Sequence, residues 1–531
     1  MTVTDVEAPE AGVPARRSAT WVRIAEVVGL VAITVIAFLV RRGGLPHDGL
    51  WFDDSWVAAG AIHGHLSDLM TVGSGHPAFT ALLMGWHQLD PNLESLAIPA
   101  LIAGTITPAL LYLSLRDAHY ERVISALLAA AAAVAWVDIR YSTRVKPYTF
   151  DPVLILCLGL ILHRLVARRW SWATAALWIA VAVAFGFFSG FLLLATAAAG
   201  IVVFLHPRQD RAKRAVAVGA QAAIQLVLLR WADRSTNLPA IENEVQGIYD
   251  LHLRFHANPI TFGSEIVTHL RRIAEIYPGG SGIWLTIAAF AALAGLAVAS
   301  LRPGRSPERI WCRYLGLMLV GSFIGALAGK FPFGPIVPNR WSSGGRYMLW
   351  VTPVIAFGLA ATLHRLRRYA QRGRVPGWAV DGGIGLVAVV VVLAGLRTPP
   401  PAPFQGSASA TRYADSVLQP GDVVIIPQSD IYSFADSTDL GVTLRPTPDR
   451  EIGFAPEYQG ADVHTLGGFG DADFTIHEIR LLTKHAKRVV VVTGGGYIGV
   501  WLGPIKDNLR QEGFELEEHR FRTQLVLVAT H

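Results

Sequence analysis

The sequence predicts a polytopic α-helical membrane protein that ends in a soluble α/β domain. Of its 531 residues, 52% are hydrophobic and only 16% are charged, and the mean hydropathy is +0.40. A soluble chain of this length is more polar than that. The apolar residues also fall in blocks of about 20, the length that one helix needs to cross a membrane. After Arg397 this pattern is replaced by short strand-like and helix-like segments.

The apolar blocks predict eleven crossings. Single helices are predicted over 21–40, 95–115, 122–137, 148–166, 212–231, 282–301, 309–329, 347–364 and 378–396. The block 170–206 is about twice the length of one crossing and is interrupted at Gly186-Phe187-Phe188-Ser189-Gly190. It is therefore predicted to be a hairpin of two short helices.

Basic residues between the helices predict the orientation by the positive-inside rule. Five clusters are predicted to be cytoplasmic, together with an N-terminal tail over 1–20: Arg116 to Arg122, Arg164 to Arg169, Arg208 to Arg214, Arg302 to Arg309 and His364 to Arg374. Residues 76–90 are apolar but too short to cross, and they are predicted to lie along the outer surface. The outer loops are then 41–94, 138–147, 232–280 and 330–346.

This topology places the protein in the plasma (inner) membrane, with the catalytic part over 21–396. The first helix is expected to remain as an anchor, because no small-residue cleavage site follows it. The net charge of +6 comes from basic residues in short loops, so membrane lipids explain it better than a nucleic acid partner. The two cysteines, Cys157 and Cys312, lie in apolar segments and predict neither a disulfide nor a metal site.

The C-terminal residues 397–531 are predicted to form an extracytoplasmic α/β domain. They open with Pro399-Pro400-Pro401, which is typical of a linker. Strands are predicted over Asp422–Ile426, Arg488–Val492 and Gln524–Ala529, with a helix near Pro504–Glu512.

Two adjacent acids, Asp53 and Asp54, follow the first helix and are framed by Trp51, Phe52 and Trp56. Aromatic rings favour the level at which a membrane meets water, whereas ionised acids are costly there. A carboxylate at that level can take a proton from a hydroxyl or help to hold a cation. The pair is therefore a candidate for catalysis.

Basic residues on the outer side are unusual, because orientation does not require them there. Arg144, Lys146 and Tyr148 lie together at the start of a helix and offer three contacts to a phosphate. Arg346 and Tyr347 precede another helix on the same side. The alternatives are an ordinary basic loop for the first group and a snorkelling side chain for Arg346.

Two further features of the outer loops suggest weaker hypotheses. The loop 232–280 includes His252 and Arg254 and is long enough to form a lid or an acceptor-binding surface. His63 and His65 have the spacing His-x-His, which by itself is weak evidence for a metal site.

Taken in order, five segments resemble polytopic GT-C glycosyltransferases, in particular the branch with protein mannosyltransferases and aminoarabinose transferases. Asp53-Asp54 corresponds to the Asp-Glu typical of that family, and His76-Pro77-Ala78 to its His-Pro-Pro element. Leu96–Ala100, Tyr141–Tyr148 and Arg346–Pro353 approximate three helix-associated elements of the family. The resemblance covers residues 20–360, and its second acid and second proline depart from the family pattern.

The resemblance implies a polyprenyl-phosphate-linked sugar as donor and an envelope glycan, lipid or protein as acceptor. Asp53 would be the general base of an inverting displacement. Asp54 would hold a divalent cation, Mg²⁺ or Mn²⁺, if one is used, or orient the acceptor. The donor phosphate would be bound by Arg144, Lys146, Tyr148, Arg346 and His76. The acceptor or donor loop would include His252, Arg254 and Tyr347.

Two other classes of protein share parts of this pattern. A transporter or flippase usually has ionisable groups near the middle of its helices, whereas Asp151 and Asp381 lie near predicted helix ends. An inactive relative could serve as a scaffold for envelope assembly, and the retained Asp53 argues against this.

The predicted topology can be tested with Asn92→Cys in a background without Cys157 and Cys312. Residue 92 is expected outside, so an impermeant thiol reagent added to intact cells should label it. A cysteine at Arg305, in a loop predicted to be cytoplasmic, is the control and should react only after permeabilisation. Labelling of residue 92 only after permeabilisation would show that 76–90 crosses the membrane.

Overall fold

The computed structural model of the protein describes residues 15–73, 76–206, 210–235, 253, 255–274, 283–328, 349–373, 375–397, 406–427, 430–446, 454–466, 472–494 and 498–531. Within these ranges the regular structure is helical as far as Leu396, and every strand lies between Val423 and Thr530. The predicted combination of an apolar helical part with a C-terminal sheet is confirmed.

The helical part combines long apolar helices with short connecting ones. In chain order they are α1 (Ala15–Arg42), α2 (Phe52–Ile62), α3 (Leu69–Val72), α4 (Pro77–Leu89), α5 (Ile98–Asp117), α6 (Arg122–Ala133), α7 (Trp136–Tyr141), α8 (Phe150–Ala167), α9 (Trp172–Gly186), α10 (Gly190–Leu205), α11 (Arg211–Ser235), α12 (Pro259–Ala274), α13 (Ile283–Leu301), α14 (Pro307–Leu327), α15 (Val351–Arg372) and α16 (Gly377–Leu396).

The described residues do not establish the predicted number of eleven crossings. Among the described residues, five helices are long and apolar enough to cross a membrane: Thr20–Arg42, Leu93–Asp117, Pro147–Ala167, Pro307–Leu327 and Gly377–Ala394. Four more are apolar but shorter: Arg122–Ala133, Trp172–Gly186, Gly190–Leu205 and Thr286–Leu301. The count of eleven is therefore not confirmed, although 170–206 does form the predicted pair of helices.

The predicted helix 122–137 ends early, and the cause is a buried arginine. α6 stops at Ala133, and α7 begins at Trp136. Arg41 donates from Nη1 to the Ala133 carbonyl at 2.7 Å and from Nη2 to the Ala132 carbonyl at 3.5 Å. The last carbonyls of a helix need partners from outside the helix. Arg41 supplies them and so caps the end of α6.

The helix predicted over 347–364 ends later than expected. α15 continues to Arg372, so most of the basic cluster from His364 is helical. Arg367 donates from Nε to Asp381 of α16 at 2.8 Å. The basic cluster is therefore partly helical, and its Arg367 pairs with the next helix.

The C-terminal residues 406–531, here called the C-terminal segment, alternate helices and strands. The helices are α17 (Ser407–Val417), α18 (Ile431–Ala435), α19 (Ala472–Thr483) and α20 (Ile498–Gln511). The strands are β1 (Val423–Pro427), β2 (Gly441–Pro446), β3 (Phe454–Gln459), β4 (Asp462–Leu466), β5 (Arg488–Gly494), β6 (Glu515–Phe521) and β7 (Gln524–Thr530). The three predicted strands correspond to β1, β5 and β7, and the predicted helix overlaps the C-terminal part of α20.

Five of the strands form one sheet in the order β4-β1-β5-β7-β6, and β2 pairs with β3 in a separate hairpin. β1 is parallel to both β4 and β5, whereas β7 is antiparallel to β5 and β6. The central strands are buried on both faces, which explains why they appear in the sequence as unbroken apolar runs.

The two faces of this sheet belong to different hydrophobic cores. Alternate residues of a strand point to opposite faces. Val489 and Val491 face a core whose described residues all belong to the C-terminal segment. Val490 and Val492 face a core that also contains Val57 of α2 and other residues of the helical part. The helical part and the C-terminal segment therefore share one continuous apolar core.

A turn over Asp48-Gly49-Leu50, here called the docking turn, connects the helical part to the C-terminal segment through hydrogen bonds. The backbone N–H of Gly406 donates to the Asp48 carbonyl at 3.1 Å, and Ser407 Oγ donates to the Leu50 carbonyl at 3.1 Å. Gly49 has φ +99°, a conformation that favours glycine. A Cβ there would lie 2.0 Å from Ser407 Oγ and 2.6 Å from the Ala408 nitrogen.

Gly49→Ala should therefore weaken the contact between the docking turn and α17. Backbone strain and the clash together should lower the free energy of unfolding by on the order of 1–3 kcal/mol. The loss should be larger if the clash cannot relax. Thermal unfolding and protease sensitivity of the C-terminal segment are the measurements. Gly43→Ala is the matched control, because no atom of the described residues lies within 4 Å of a Cβ at that position. Equal stability of both variants would show that the docking turn does not hold the C-terminal segment.

Candidate active site

The acid pair lies in the first turn of α2. Trp51 is the N-cap residue, and its carbonyl accepts from the backbone N–H groups of Asp54 and Ser55, both at 2.8 Å. The first N–H groups of a helix carry partial positive charge and favour nearby carboxylates. The start of α2 thus stabilises two ionised acids without a dedicated side-chain cap.

Asp54 forms a buried ion pair with Arg144. Arg144 Nε lies 3.0 Å from Asp54 Oδ2, and the two residues are only 7% and 2% exposed. The guanidinium carbon of Arg144 lies 4.3 Å from the centre of the Trp51 ring. An aromatic face attracts a cation most strongly when water is excluded. A candidate catalytic acid and a candidate phosphate-binding cation are therefore in direct contact.

Lys146, two residues after Arg144, also lies over a tryptophan ring. Its Nζ lies 5.4 Å from the centre of the Trp56 ring, and the residue is buried. Between the two cations, Val145 is fully buried in the shared core. The segment bends here, since the backbone N–H of Lys146 donates to the Arg144 carbonyl at 2.8 Å, and both cations lie over tryptophan rings at the start of α2. The sequence indicated both the cations and the tryptophans, but not that they would stack.

Arg144 has a donor without a protein acceptor. Its Nη2 is buried and makes no hydrogen bond within the described ranges. Leaving a buried charged donor unsatisfied costs free energy, about 1–3 kcal/mol or more. An anion placed beside the guanidinium would satisfy that nitrogen, which fits the predicted role of Arg144 in phosphate binding.

Tyr148 and His76 lie on a neighbouring part of the site. Their rings meet edge to face at 6.5 Å, and Tyr148 also contacts Tyr141 at 5.7 Å. His76 Nδ1 lies 2.9 Å from the Phe188 carbonyl, so that nitrogen carries the proton. Burial lowers the pKa of His76 to about 4, and the ring is neutral at neutral pH. A neutral ring whose Nε2 can only accept is poorly suited to the predicted contact with phosphate.

A buried arginine that sequence reasoning missed supports the whole segment 141–148. Arg41, at the end of α1, donates from Nε to Ser142 Oγ at 3.1 Å. The nearby carboxyl of Asp138 has its pKa raised to about 7 by burial, while the charge of Arg41 lowers it. Gly104 permits the close approach, since a Cβ there would lie 1.9 Å from Ser142 Oγ. In the sequence, Arg41 resembles an ordinary basic residue at the end of an apolar helix.

The other predicted site residues have different outcomes. Asp53 is half-buried in the same turn as Asp54. Because consecutive helical residues point about 100° apart, the Asp53 side chain leaves α2 in a different direction from that of Asp54. Arg346, Tyr347, His252 and Arg254 lie outside the described residues.

The divalent cation implied by the resemblance does not fit the described side chains. Asp54 already pairs with Arg144, whose charge would repel a second cation. His63 donates from Nε2 to the Ala435 carbonyl at 3.2 Å, and His65 is exposed. In the part of the chain that the structure describes, no three His, Cys, Asp or Glu side chains are arranged to hold a metal.

Comparison with known proteins identifies the fold. The crystal structure of ArnT from Cupriavidus metallidurans bound to undecaprenyl phosphate matches with a TM-score of 0.51 and 12% identity, covering 96% of this chain and 98% of that chain. The apo structure of the same protein matches with a TM-score of 0.49 and 11% identity, at the same coverage. No family model and no curated protein matches the sequence.

The likeness to ArnT extends over nearly the whole chain, including the C-terminal segment. At 12% identity it shows the fold alone, which this chain shares with ArnT. The fold implied by the resemblance of the five sequence segments is thereby confirmed.

The Asp54–Arg144 pair can be tested by a double-mutant cycle. Asp54→Asn and Arg144→Gln each leave one buried charge without its partner, which should cost about 3–5 kcal/mol. The double variant should cost much less than the sum, because neither charge remains. Unfolding in denaturant followed by tryptophan fluorescence is the measurement. Glu457→Gln is the control, because its exposed pair with Arg445 should contribute at most about 1 kcal/mol. Additive effects of Asp54→Asn and Arg144→Gln would contradict the pairing.

Proposed function

We propose that this protein is a GT-C type glycosyltransferase of the plasma (inner) membrane. It transfers a sugar from a polyprenyl-phosphate carrier to an envelope acceptor on the outer face, with inversion at the anomeric carbon. The observation that carries the proposal is the contact between the acid pair of α2 and the Arg144–Lys146 segment within an ArnT-like fold. A proton acceptor and anion-binding groups are the two requirements of this reaction.

The carrier is proposed from the chemistry of the site. The ArnT crystal structure contains undecaprenyl phosphate, a polyprenyl phosphate. In this chain Arg144 presents a buried Nη2 that lacks an acceptor among described groups, and Lys146 adds a second buried cation nearby. A phosphate with a long apolar chain suits such cations beside apolar helices. The donor is therefore a lipid-phosphate sugar, and no nucleotide is required.

The reaction is a single displacement. The acceptor oxygen attacks the anomeric carbon, the bond from that carbon to the phosphate oxygen breaks, and its electron pair leaves with the lipid phosphate. Arg144 and Lys146 stabilise the negative charge that develops on the leaving phosphate. The acceptor proton passes to a carboxylate, which loses one negative charge as the leaving phosphate gains one.

Asp53 is the proposed general base. An arginine beside a carboxylate stabilises its ionised form and makes it a poorer proton acceptor. Asp54 is held in this way by Arg144, whereas Asp53 lies on an adjoining face of α2 and is partly accessible. We therefore assign the proton transfer to Asp53 and the fixing of Arg144 to Asp54. Arg346, as a further ligand of the donor phosphate, remains part of the proposal, and so does the acceptor or donor loop with His252, Arg254 and Tyr347.

The decisive experiment incubates purified protein with a panel of polyprenyl-phosphate sugars and envelope acceptors. Wild type should consume one of these donors, and Asp53→Asn should transfer the sugar at least about 100-fold more slowly, as expected for loss of a general base. Asp68→Asn, an exposed acid in the same outer segment, is the control and should retain full activity.

Two outcomes would contradict the proposal in different ways. Equal rates for Asp53→Asn and wild type would exclude Asp53 as the base but leave the transferase assignment intact. Failure of wild type to consume any lipid-linked donor would favour a transporter or an envelope-assembly scaffold.

A further inference from the structure

The short helix α18 of the C-terminal segment packs directly on α2, the helix that carries the acid pair. All five residues of α18 are buried. Ser433, at its centre, donates from Oγ to Ser55 Oγ at 3.0 Å. Ser55 immediately follows Asp54 and is 0% exposed. A residue 378 positions away in the sequence therefore contacts the first turn of α2.

A second contact holds the other end of α2. His63 is the C-cap residue of α2, and its Nε2 donates to the Ala435 carbonyl at 3.2 Å. Burial lowers the pKa of His63, which keeps the ring neutral and consistent with one donated hydrogen bond. Because α18 meets α2 at both ends, it restrains the tilt of α2 as well as its position.

α18 is itself held by the β2–β3 hairpin. Tyr432 donates from its hydroxyl to the Phe454 carbonyl at 2.5 Å, and Tyr458 donates to the Ile431 carbonyl at 2.8 Å. These tyrosines bond the start of α18 to β3. α18 is therefore held in place by β3 independently of its contacts with α2.

The carboxyl of Asp436 lies at the same contact, directly after α18. Burial raises its pKa well above the usual range, and the neighbouring Ser55 hydroxyl lowers it. Ser55 thus has polar neighbours on the C-terminal segment in Ser433 and Asp436. On the helical part, the adjacent Asp54 is held by Arg144.

We propose that Ser433 is a positioning residue for the acid pair. Through Ser55 it fixes the rotation of the first turn of α2 about the helix axis. That rotation sets the direction in which Asp53 faces the acceptor and keeps Asp54 paired with Arg144. This inference rests on the proposed glycosyltransferase function. A general base must be held within about 0.5 Å of its productive place, and a buried hydrogen bond next to the base provides such a restraint.

The kinetic test compares Ser433→Ala with Thr438→Ala, using the donor and acceptor on which wild type is active. Thr438 bonds Asp415 at 2.8 Å inside the C-terminal segment and contacts no residue of α2 through that bond. Ser433→Ala should lower kcat at least about 5-fold with little change in the donor KM, as expected when only the transition-state geometry suffers. Thr438→Ala should leave kcat unchanged, with a comparable loss of thermal stability.

A double variant separates positioning through Ser55 from a general loss of stability. If Ser433 acts through Ser55, Ser433→Ala should have no further effect on kcat in a Ser55→Ala background. Independent, multiplicative effects of the two substitutions would overturn the inference. So would equal losses of kcat in Ser433→Ala and Thr438→Ala.

A measurement without substrate keeps the inference distinguishable from the proposed function. Asp53→Cys, with Cys157 and Cys312 replaced by alanine, reports the accessibility of that position to a thiol reagent. Adding Ser433→Ala should change the rate of modification at least about 3-fold, whereas adding Thr438→Ala should not. A changed rate in a protein that consumes no lipid-linked donor would refute the function but support the positioning. An unchanged rate would refute the positioning.

Discussion

The buried pair of Asp54 and Arg144 is the interaction on which the rest of the site depends. Taking two charges out of water is costly, and their attraction repays the cost only when the geometry is good. Here the positive end of α2, the Trp51 ring and the short distance all favour the charged state. The pair adds little net stability by this reasoning, but it sets the register between α2 and the segment around Arg144.

Two different structures hold these partners in place. Arg41 and the close approach at Gly104 fix the segment that carries Arg144. α2 is instead fixed by the shared core and by α18. The acid and its arginine therefore depend on opposite ends of the chain, and neither the apolar helices nor the sheet would form the site alone.

The sequence allowed the fold class to be predicted because long apolar blocks and unbroken strand runs are local signals. The acid pair and the cations of residues 144–146 were also visible in the sequence, since charged residues are unusual next to long apolar blocks. The stacking of Arg144 on Trp51 and the contact between Ser433 and Ser55 were not visible. Both join residues that are distant in the chain, and no local pattern records such a pairing. The end of α6 was misplaced for the same reason, because its cap is Arg41.

The shared core also has a consequence for how the protein is made. Val57 of α2 packs in the same core as Val528, near the last residue of the chain. During synthesis, the apolar face of α2 therefore emerges long before the strand that covers it. α2, which carries the acid pair, can reach its final position only when the C-terminal segment has folded against it. Assembly of the site thus waits for the C-terminal segment, and a chain without that segment is left with an exposed apolar surface on α2.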